Sequence, residues 1–380
     1  RIKLVGFMCG INGHLSIKKE PDISLVQKMN NTLDHRGPDA KDIWHDEHIA
    51  LGHTRLSIID LSNKSNQPFI KNGFVIIFNG EIYNYKDLKS SELKEINFNT
   101  GSDTEVVLEM WRKFGIESLK MLRGMFAFAI YDISSKETFL ARDHFGIKPL
   151  FYQINEHNLT FSSELKALER DNKNIKVVSS DAIAASMLYA WIPEYTCIYD
   201  SVKKLPPGKV LQIKPCGFSK MTGFWKNKDL IKKGPRYKNE NAAKEYLNNV
   251  IEDSVKHHLV SDVPVNAFLS GGLDSSLIVA MAKKHINDIE CYTIKFSDQD
   301  QMHEAMVDDS YYASIVAKKL GVNLNTIEVD ADLASMLPKI VYHLDEPIGD
   351  SAAINTYLIC DAAKKACLLY TSPSPRDRNV

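Results

Sequence analysis

The sequence predicts two domains of different architecture: an α+β domain of stacked sheets with helices outside them, then an α/β domain on a doubly wound parallel sheet. Up to about residue 212 the chain is dominated by short, almost wholly apolar runs, the pattern of strands covered on both faces, with few helical stretches between them. Beyond about residue 240, strand-like and helix-like stretches alternate at the spacing of βαβ units. Between the two, 225–240 turns to Lys, Asn, Gly and Pro, as a linker would.

In chain order, the apolar runs predict strands over 49–58, 74–78, 125–131, 138–142, 150–153, 159–162 and 209–213. Helices are expected over 23–33 and 103–114, the second opening on Ser102-Asp103-Thr104-Glu105, a capping residue followed by acid in the first turn. After the linker, a helix over 242–258 sets Leu247, Val250, Ile251 and Val255 on one face. Strand 265–269, helix 275–285, strand 289–296, helix 310–320 and strand 325–329 follow. The expected domains are 8–225 and 241–366.

Lys plus Arg number 47 and Asp plus Glu 48, so no basic excess points to nucleic acid or to an anionic membrane surface. No apolar run approaches the ~18 residues that span a bilayer, and a cytoplasmic location is expected. The six cysteines lack any Cys-x-x-Cys pair, which fits neither a zinc site nor a disulfide framework. Residues 1–7 read as upstream sequence, and 367–377 resembles, residue for residue, the translation of a transposase adapter used in sequencing libraries. The expectation is a native chain from Met8 to about Ala366, cut short there, in which only glutamine hydrolysis would survive.

Met8-Cys9-Gly10-Ile11 places a cysteine where removal of methionine would make it the first residue. It would then carry a nucleophilic thiol and a free α-amine, whose reference pKa of about 7.7–8.0 lets it serve as the base. A free cysteine is also a common small buried hydrophobe. His53-Thr54-Arg55-Leu56-Ser57-Ile58, Phe78-Asn79-Gly80-Glu81-Ile82-Tyr83-Asn84 and Gly101-Ser102-Asp103-Thr104-Glu105 sit at strand ends or a helix start, where side chains can converge. Each has a plainer reading: Asn79-Gly80 as a turn, Asp103 as a helix cap, Arg55 as a solvated charge.

Together with His35-Arg36-Gly37-Pro38-Asp39 and Ala141-Arg142-Asp143-His144-Phe145-Gly146-Ile147-Lys148-Pro149-Leu150, these motifs resemble the class II, or N-terminal-nucleophile, glutamine amidotransferases, and among them the asparagine synthetase family. The resemblance implies the N-terminal-nucleophile αββα fold, with Cys9 attacking the glutamine amide and Asn79 and Gly80 stabilising the oxyanion. It implies that Arg55 holds the glutamine α-carboxylate and that Glu81 and Asp103 receive the α-ammonium, with Leu56 and Ile58 in the same pocket. His35 to Asp39 would shape its wall.

Ser270-Gly271-Gly272-Leu273-Asp274-Ser275-Ser276 joins an apolar strand to a helix. Two glycines allow close backbone approach, and a helix N-terminus offers N–H groups to an anion. The heptad lacks the Gly-Lys-Ser/Thr of a Walker A loop. It resembles the pyrophosphate loop of enzymes that split ATP between its α- and β-phosphates, carried by asparagine synthetases on an adenine-nucleotide α-hydrolase-like sheet. That implies ATP held by Ser270, Gly271, Gly272, Ser275 and Ser276, Mg2+ at Asp274, and adenine against Leu269 and Ile294. Asp345-Glu346-Pro347 and Asp350-Ser351 match a later family motif on the acceptor side, and a turn would explain them equally. Asn266, Asp309 and the stretch after Gly321 depart from the family pattern. The implied partners are glutamine, ATP and aspartate, with another carboxylate such as a sugar acid as the alternative acceptor and a homodimer left open. From another functional class, an idle nucleotide-binding homologue is the alternative.

Overall fold

The computed structural model describes residues 9–170, 177–226, 237–296, 309–329, 333–350, 352–365 and 369–370. Among the described residues two compact units emerge: 9–226 with 341–350 added, and 237–340 with 352–370.

The first unit holds two six-stranded sheets. One has the order β10-β8-β9-β1-β3-β2, from β1 (Gly10–Ser16), β2 (Ala40–His45), β3 (Ile49–Arg55), β8 (Phe151–Ile154), β9 (Asn158–Ser162) and β10 (Lys203–Lys204). The other has the order β12-β11-β7-β6-β5-β4, from β4 (Phe69–Lys71), β5 (Phe74–Ile82), β6 (Gly124–Asp132), β7 (Thr138–Arg142), β11 (Lys209–Ile213) and β12 (Ser219–Gly223). Alternate residues of the central strands face each other across the sandwich: Ile11, Leu15, Ile49 and Leu51 from the first sheet meet Val75, Ile77, Ala127 and Ala129 from the second. This dry layer explains the all-apolar runs. The opposite faces are also covered, by α1 (Ile23–Thr32) on the first sheet and, beside the short α2 (Tyr85–Ser91), α3 (Asp103–Phe114) on the second. The result is the αββα arrangement that the sequence predicts.

Two strand boundaries differ from expectation by three residues or more. The run over 49–58 is a strand only to Arg55, because Ser57 N–H is drawn off to the Asp39 carboxylate and the chain turns into a loop. Asn79-Gly80 is no turn: β5 runs through it to Ile82, paired residue for residue with β6. Gly80 is required there, since a Cβ would fall 2.2 Å from the Met125 carbonyl oxygen.

In the second unit, β13 (Val265–Phe268), β14 (Glu290–Phe296), β15 (Asn323–Val329) and β16 (Leu369–Tyr370) form a sheet of order β15-β14-β13-β16 in which every pairing is parallel. Helices Leu273–Lys283 and Asp309–Leu320 pack Val279, Met281, Ala313 and Ala317 onto Ala267, Leu269 and Cys291, while Ala352–Lys365 lies along β14 and β15. This is the doubly wound parallel sheet predicted. Helix Glu240–His258 buries less than its pattern suggested: Val255 and Ile251 reach the core, whereas Leu247 is 57% and Val250 44% exposed. Among the described residues, no helix is long and apolar enough to cross a membrane.

Candidate active site

Cys9 stands just before β1, and its surroundings are built by strand ends from both sheets. Its carbonyl accepts from Arg36 Nε at 3.1 Å, and its Sγ accepts from Leu56 N–H at 3.4 Å and faces the Leu56 carbonyl at 3.6 Å. Among the described residues, no histidine or carboxylate hydrogen-bonds the thiol. Burial pushes the Cys9 thiol up from its ordinary value, against the opposing pull of Leu56 N–H and the Arg55 and Arg36 guanidiniums. A thiol so placed stays protonated near neutral pH unless a base takes its proton.

Cys9, Arg55, Leu56, Ile58, Asn79, Gly80, Glu81 and Asp103 all line one open pocket of about 470 Å³, mouth included. The structure thus brings together every residue that the first domain's motifs single out for glutamine. Gln67, Ser102, Thr104 and Lys148 line it as well. Lys148 was visible within its motif but without a role, and Gln67 lies in no motif.

Asn79 is fully buried on β5, and both polar atoms of its side chain lack a protein partner. Leaving such groups unpaired costs roughly 1–3 kcal/mol each. The residue ahead of it, Phe78, is pinned at both its N–H and its carbonyl. Phe78 N–H donates to Gln67 Oε1 at 2.6 Å, and the Phe78 carbonyl meets His53 Nε2 at 3.2 Å. Burial takes His53 down to about 3, so the ring is neutral, and a carbonyl can only accept; Nε2 therefore carries the proton. Because Tyr83 N–H bonds the Arg123 carbonyl, the alternation of an antiparallel ladder makes Gly80 and Phe126 a non-hydrogen-bonded pair. The Gly80 N–H then points away from β6.

Arg55 is only 4% exposed, so the solvated-charge reading does not hold. Its guanidinium donates to the Ser62 carbonyl at 2.8 Å, to Asn66 Oδ1 at 2.7 Å and to the Asp60 carbonyl. Three donors thus hold the 60–66 loop, leaving two of its five N–H for a ligand. Asp103 is not the cap of α3 either. Ser102 accepts from Thr104 N–H as the N-cap, while Asp103 Oδ2 accepts from Ile82 N–H at 2.9 Å.

Burial raises Glu81 to about 7, opposed by the Lys148 ammonium and reinforced by Asp103, and raises Asp103 itself to about 6 against the hydrogen bonds from Ile82, Thr104 and Ser102. Both carboxylates have folded-state values above their unfolded ones, so the stability they contribute is fully present below about pH 4 and is lost as pH rises through 6 and 7. A cation in the pocket offsets that loss. If both must be ionised to take an ammonium group, kcat/KM for glutamine should climb between pH 5 and 8, and Glu81→Gln should remove the upper part of that climb. A flat profile over this range would exclude the pair from substrate binding.

In the second unit, the loop after β13 has Gly271 at φ +76°, where a Cβ would also lie 2.5 Å from the Ala313 main-chain nitrogen. Gly272 N–H donates to Ser270 Oγ at 3.3 Å, the Ser270 and Ser275 hydroxyls meet at 3.1 Å, and Ser276 Oγ is buried with no hydrogen-bond partner. Helix Leu273–Lys283 has no side-chain cap, so its first N–H groups face the loop, with Asp274 in the first turn. This cradle fits a phosphate chain. Among the described residues, no group of three or more His, Cys, Asp or Glu could hold a metal ion; a magnesium ion borne by phosphates needs little more than one carboxylate, which Asp274 fits.

The adenine pair, Leu269 and Ile294, lies at the ends of neighbouring parallel strands, with Leu269 N–H bonded to the Tyr292 carbonyl at 2.9 Å, but the two side chains point to opposite faces. Leu269 is fully buried in the core with Cys291, and the β13–β14 register puts Ile294 on the other sheet face, beside Tyr292. Asp345 and Glu346 lie in the first compact unit, with Asp345 at φ +62° as the turn reading requires.

Residues 8–225 match the glutamine amidotransferase domain model and 246–369 the asparagine synthase model. An asparagine synthetase 1 (glutamine-hydrolyzing) of Bacillus subtilis is 37% identical over 95% of this chain and 56% of its own length. A provisionally named asparagine synthetase 2 (glutamine-hydrolyzing) of Methanocaldococcus jannaschii is 32% identical over 94% of this chain and 72% of its own. A Gibberella zeae relative named amidase chry2 is 28% identical over 93% and 56%. The chain therefore spans little more than half the length of the Bacillus relative. With an amidotransferase domain ahead of asparagine-synthase sequence, and relatives of that description along nearly its whole length, this chain belongs to the glutamine-hydrolysing asparagine synthetase family.

Proposed function

We propose that the protein hydrolyses glutamine at Cys9 and passes the ammonia to a carboxylate activated with ATP, aspartate being the acceptor and asparagine the product. The observation that carries the first half is Asn79: a fully buried amide facing the pocket beside the thiol, with its N–H unpaired. Cys9 attacks the amide carbon of glutamine, and its proton passes to its own α-amine once that nitrogen is the chain terminus. The Asn79 and Gly80 N–H groups receive the oxyanion. Collapse returns the proton to the leaving nitrogen as ammonia, and water cleaves the thioester to glutamate. Arg55 orients the α-carboxylate with its two remaining donors, and Glu81 and Asp103 orient the α-ammonium.

In the second half, Ser270, Gly271, Gly272, Ser275 and Ser276 would hold the ATP phosphates, with Asp274 toward Mg2+. ATP supplies the adenylate leaving group that makes the acceptor carboxyl reactive. The family's description and the vacant hydrogen-bonding capacity of Ser276 support this reading. Amidation of another carboxylate is the second reading, since Asn266, Asp309 and the stretch after Gly321 depart from the family pattern. The cytoplasm is the proposed location, in keeping with the free cysteines.

The test is to incubate protein beginning at Cys9 with glutamine, ATP, Mg2+ and aspartate and to assay glutamate, pyrophosphate and asparagine separately. Glutamate release is expected, and its absence overturns the glutaminase reading. Pyrophosphate formed with a different carboxylate but not with aspartate would replace the acceptor. Arg55→Lys should raise KM for glutamine by about 10- to 100-fold with little change in kcat, the worth of one or two charge-assisted hydrogen bonds. Arg55→Ala should add a loss of stability, because the 60–66 loop loses three donors.

A further inference from the structure

Behind Cys9 lies a row of buried charges that no step of glutamine hydrolysis uses. Arg36 joins the Cys9 carbonyl to Glu164, with Nη1 to Oε1 at 2.8 Å. His35 Nε2 meets the same oxygen at 2.9 Å. Lys166 Nζ bridges Glu164 Oε2 and Asp345 Oδ1, each at 2.7 Å. Asp345 also accepts from the main-chain N–H groups of Leu165 and Lys166, at 3.0 and 3.1 Å. The four charged side chains of the row are all under 10% exposed. Next in sequence, Glu346 accepts from Ile198 N–H at 3.0 Å and pairs with Lys204 at 2.6 Å.

Such a row is a poor way to gain stability, since desolvating each ion costs about as much as pairing returns. It is a good way to fix geometry. Asp345 is held in a left-handed conformation that non-glycine residues seldom adopt, and the aim of its carboxylate at Lys166 depends on it. At the other end, Cys9 precedes the first paired residue of β1, so no strand ladder holds its main chain; the Arg36 bond to its carbonyl does.

We propose that Asp345 is a positioning residue for the nucleophile: through Lys166, Glu164 and Arg36 it sets where the Cys9 main chain sits. A segment distant in sequence, Val341–Asp350, thereby tunes glutamine hydrolysis. The inference rests on the glutaminase reading of Cys9 for its kinetic test, and a second readout is independent of that reading.

Asp345→Asn, Asp345→Glu and the double variant Lys166→Met with Asp345→Leu are compared with the unsubstituted chain, all beginning at Cys9. Glutamine hydrolysis gives kcat and KM, and the iodoacetamide alkylation rate of Cys9, followed by mass spectrometry against pH, reports the thiol directly. Asp345→Asn should lower kcat about tenfold with KM within about twofold, because small misplacements of a reacting group are costly in rate. The double variant removes both charges and leaves none uncompensated. It should fold and still be slow, whereas recovery of full kcat would mean that the row only balances charge and would overturn the proposal. If Asp345→Asn does not fold, Asp345→Glu decides, since it keeps the charge and displaces it: reduced kcat supports positioning, unchanged kcat overturns it. An unsubstituted chain that leaves glutamine intact defeats the glutaminase reading alone. Alkylation of Cys9 then decides the positioning proposal, supporting it if altered in Asp345→Asn and overturning it if unchanged.

Discussion

Replacing Cys9 by alanine should reduce glutamine hydrolysis to background, a loss on the order of 10⁶-fold if it behaves as removal of the nucleophile does in other covalent hydrolases. Retaining Met8 should be nearly as damaging although the thiol is untouched. The reason lies in what surrounds the sulfur: burial holds the thiol protonated, its polar contacts are the N–H and carbonyl of Leu56, and neither can accept a proton at neutral pH. The base in the proposed mechanism is the α-nitrogen of Cys9, which an upstream residue converts to an amide without a usable lone pair. Glutamate release from chains starting at residue 8 and at residue 9, measured side by side, checks this. Equal rates would falsify the self-activating cysteine.

Asn79→Ala should lower kcat by roughly 10²- to 10³-fold with a much smaller change in KM, because the oxyanion it would bind exists only beyond the ground state. Its effect on stability should be slight or favourable, since the side chain's polar atoms are buried unpaired in the absence of ligand. Rate loss without stability loss separates a group kept for chemistry from one kept for packing. A variant with unchanged kcat and a raised KM would move Asn79 from the oxyanion to ground-state binding.

The first domain's site was unusually legible because each motif lies where a strand ends or a helix begins, and such positions converge whenever two sheets stack. The cap at Ser102, the acid of α3 and the apolar runs of β5, β6 and β7 are local signals that tertiary structure had no reason to override. The Gly-Gly loop was legible for the same reason, since a positive φ and a close helix–loop approach require glycine at Gly271. Gln67 was not legible. It lies outside the motifs, and its role in pinning Phe78 exists only once β5 is laid beside it.

Sequence by itself determined the fold classes and most of the central strands, and it singled out Cys9, Arg55, Asn79, Gly80, Glu81 and Asp103, which share one pocket, together with the Gly271-Gly272 loop, all properties carried by residue type over a few neighbouring positions. Tertiary structure alone decided that β5 continues through Asn79-Gly80, that three of Arg55's donors are spent on its own loop, that Leu269 and Ile294 face opposite sides of a sheet, and that Glu81 and Asp103 titrate near neutrality. It alone placed Asp345 against Lys166, 179 residues away. Periodicity and capping are set by the chain's neighbours, whereas desolvation, register and ion pairing depend on groups brought from elsewhere, and no window of the sequence contains both partners.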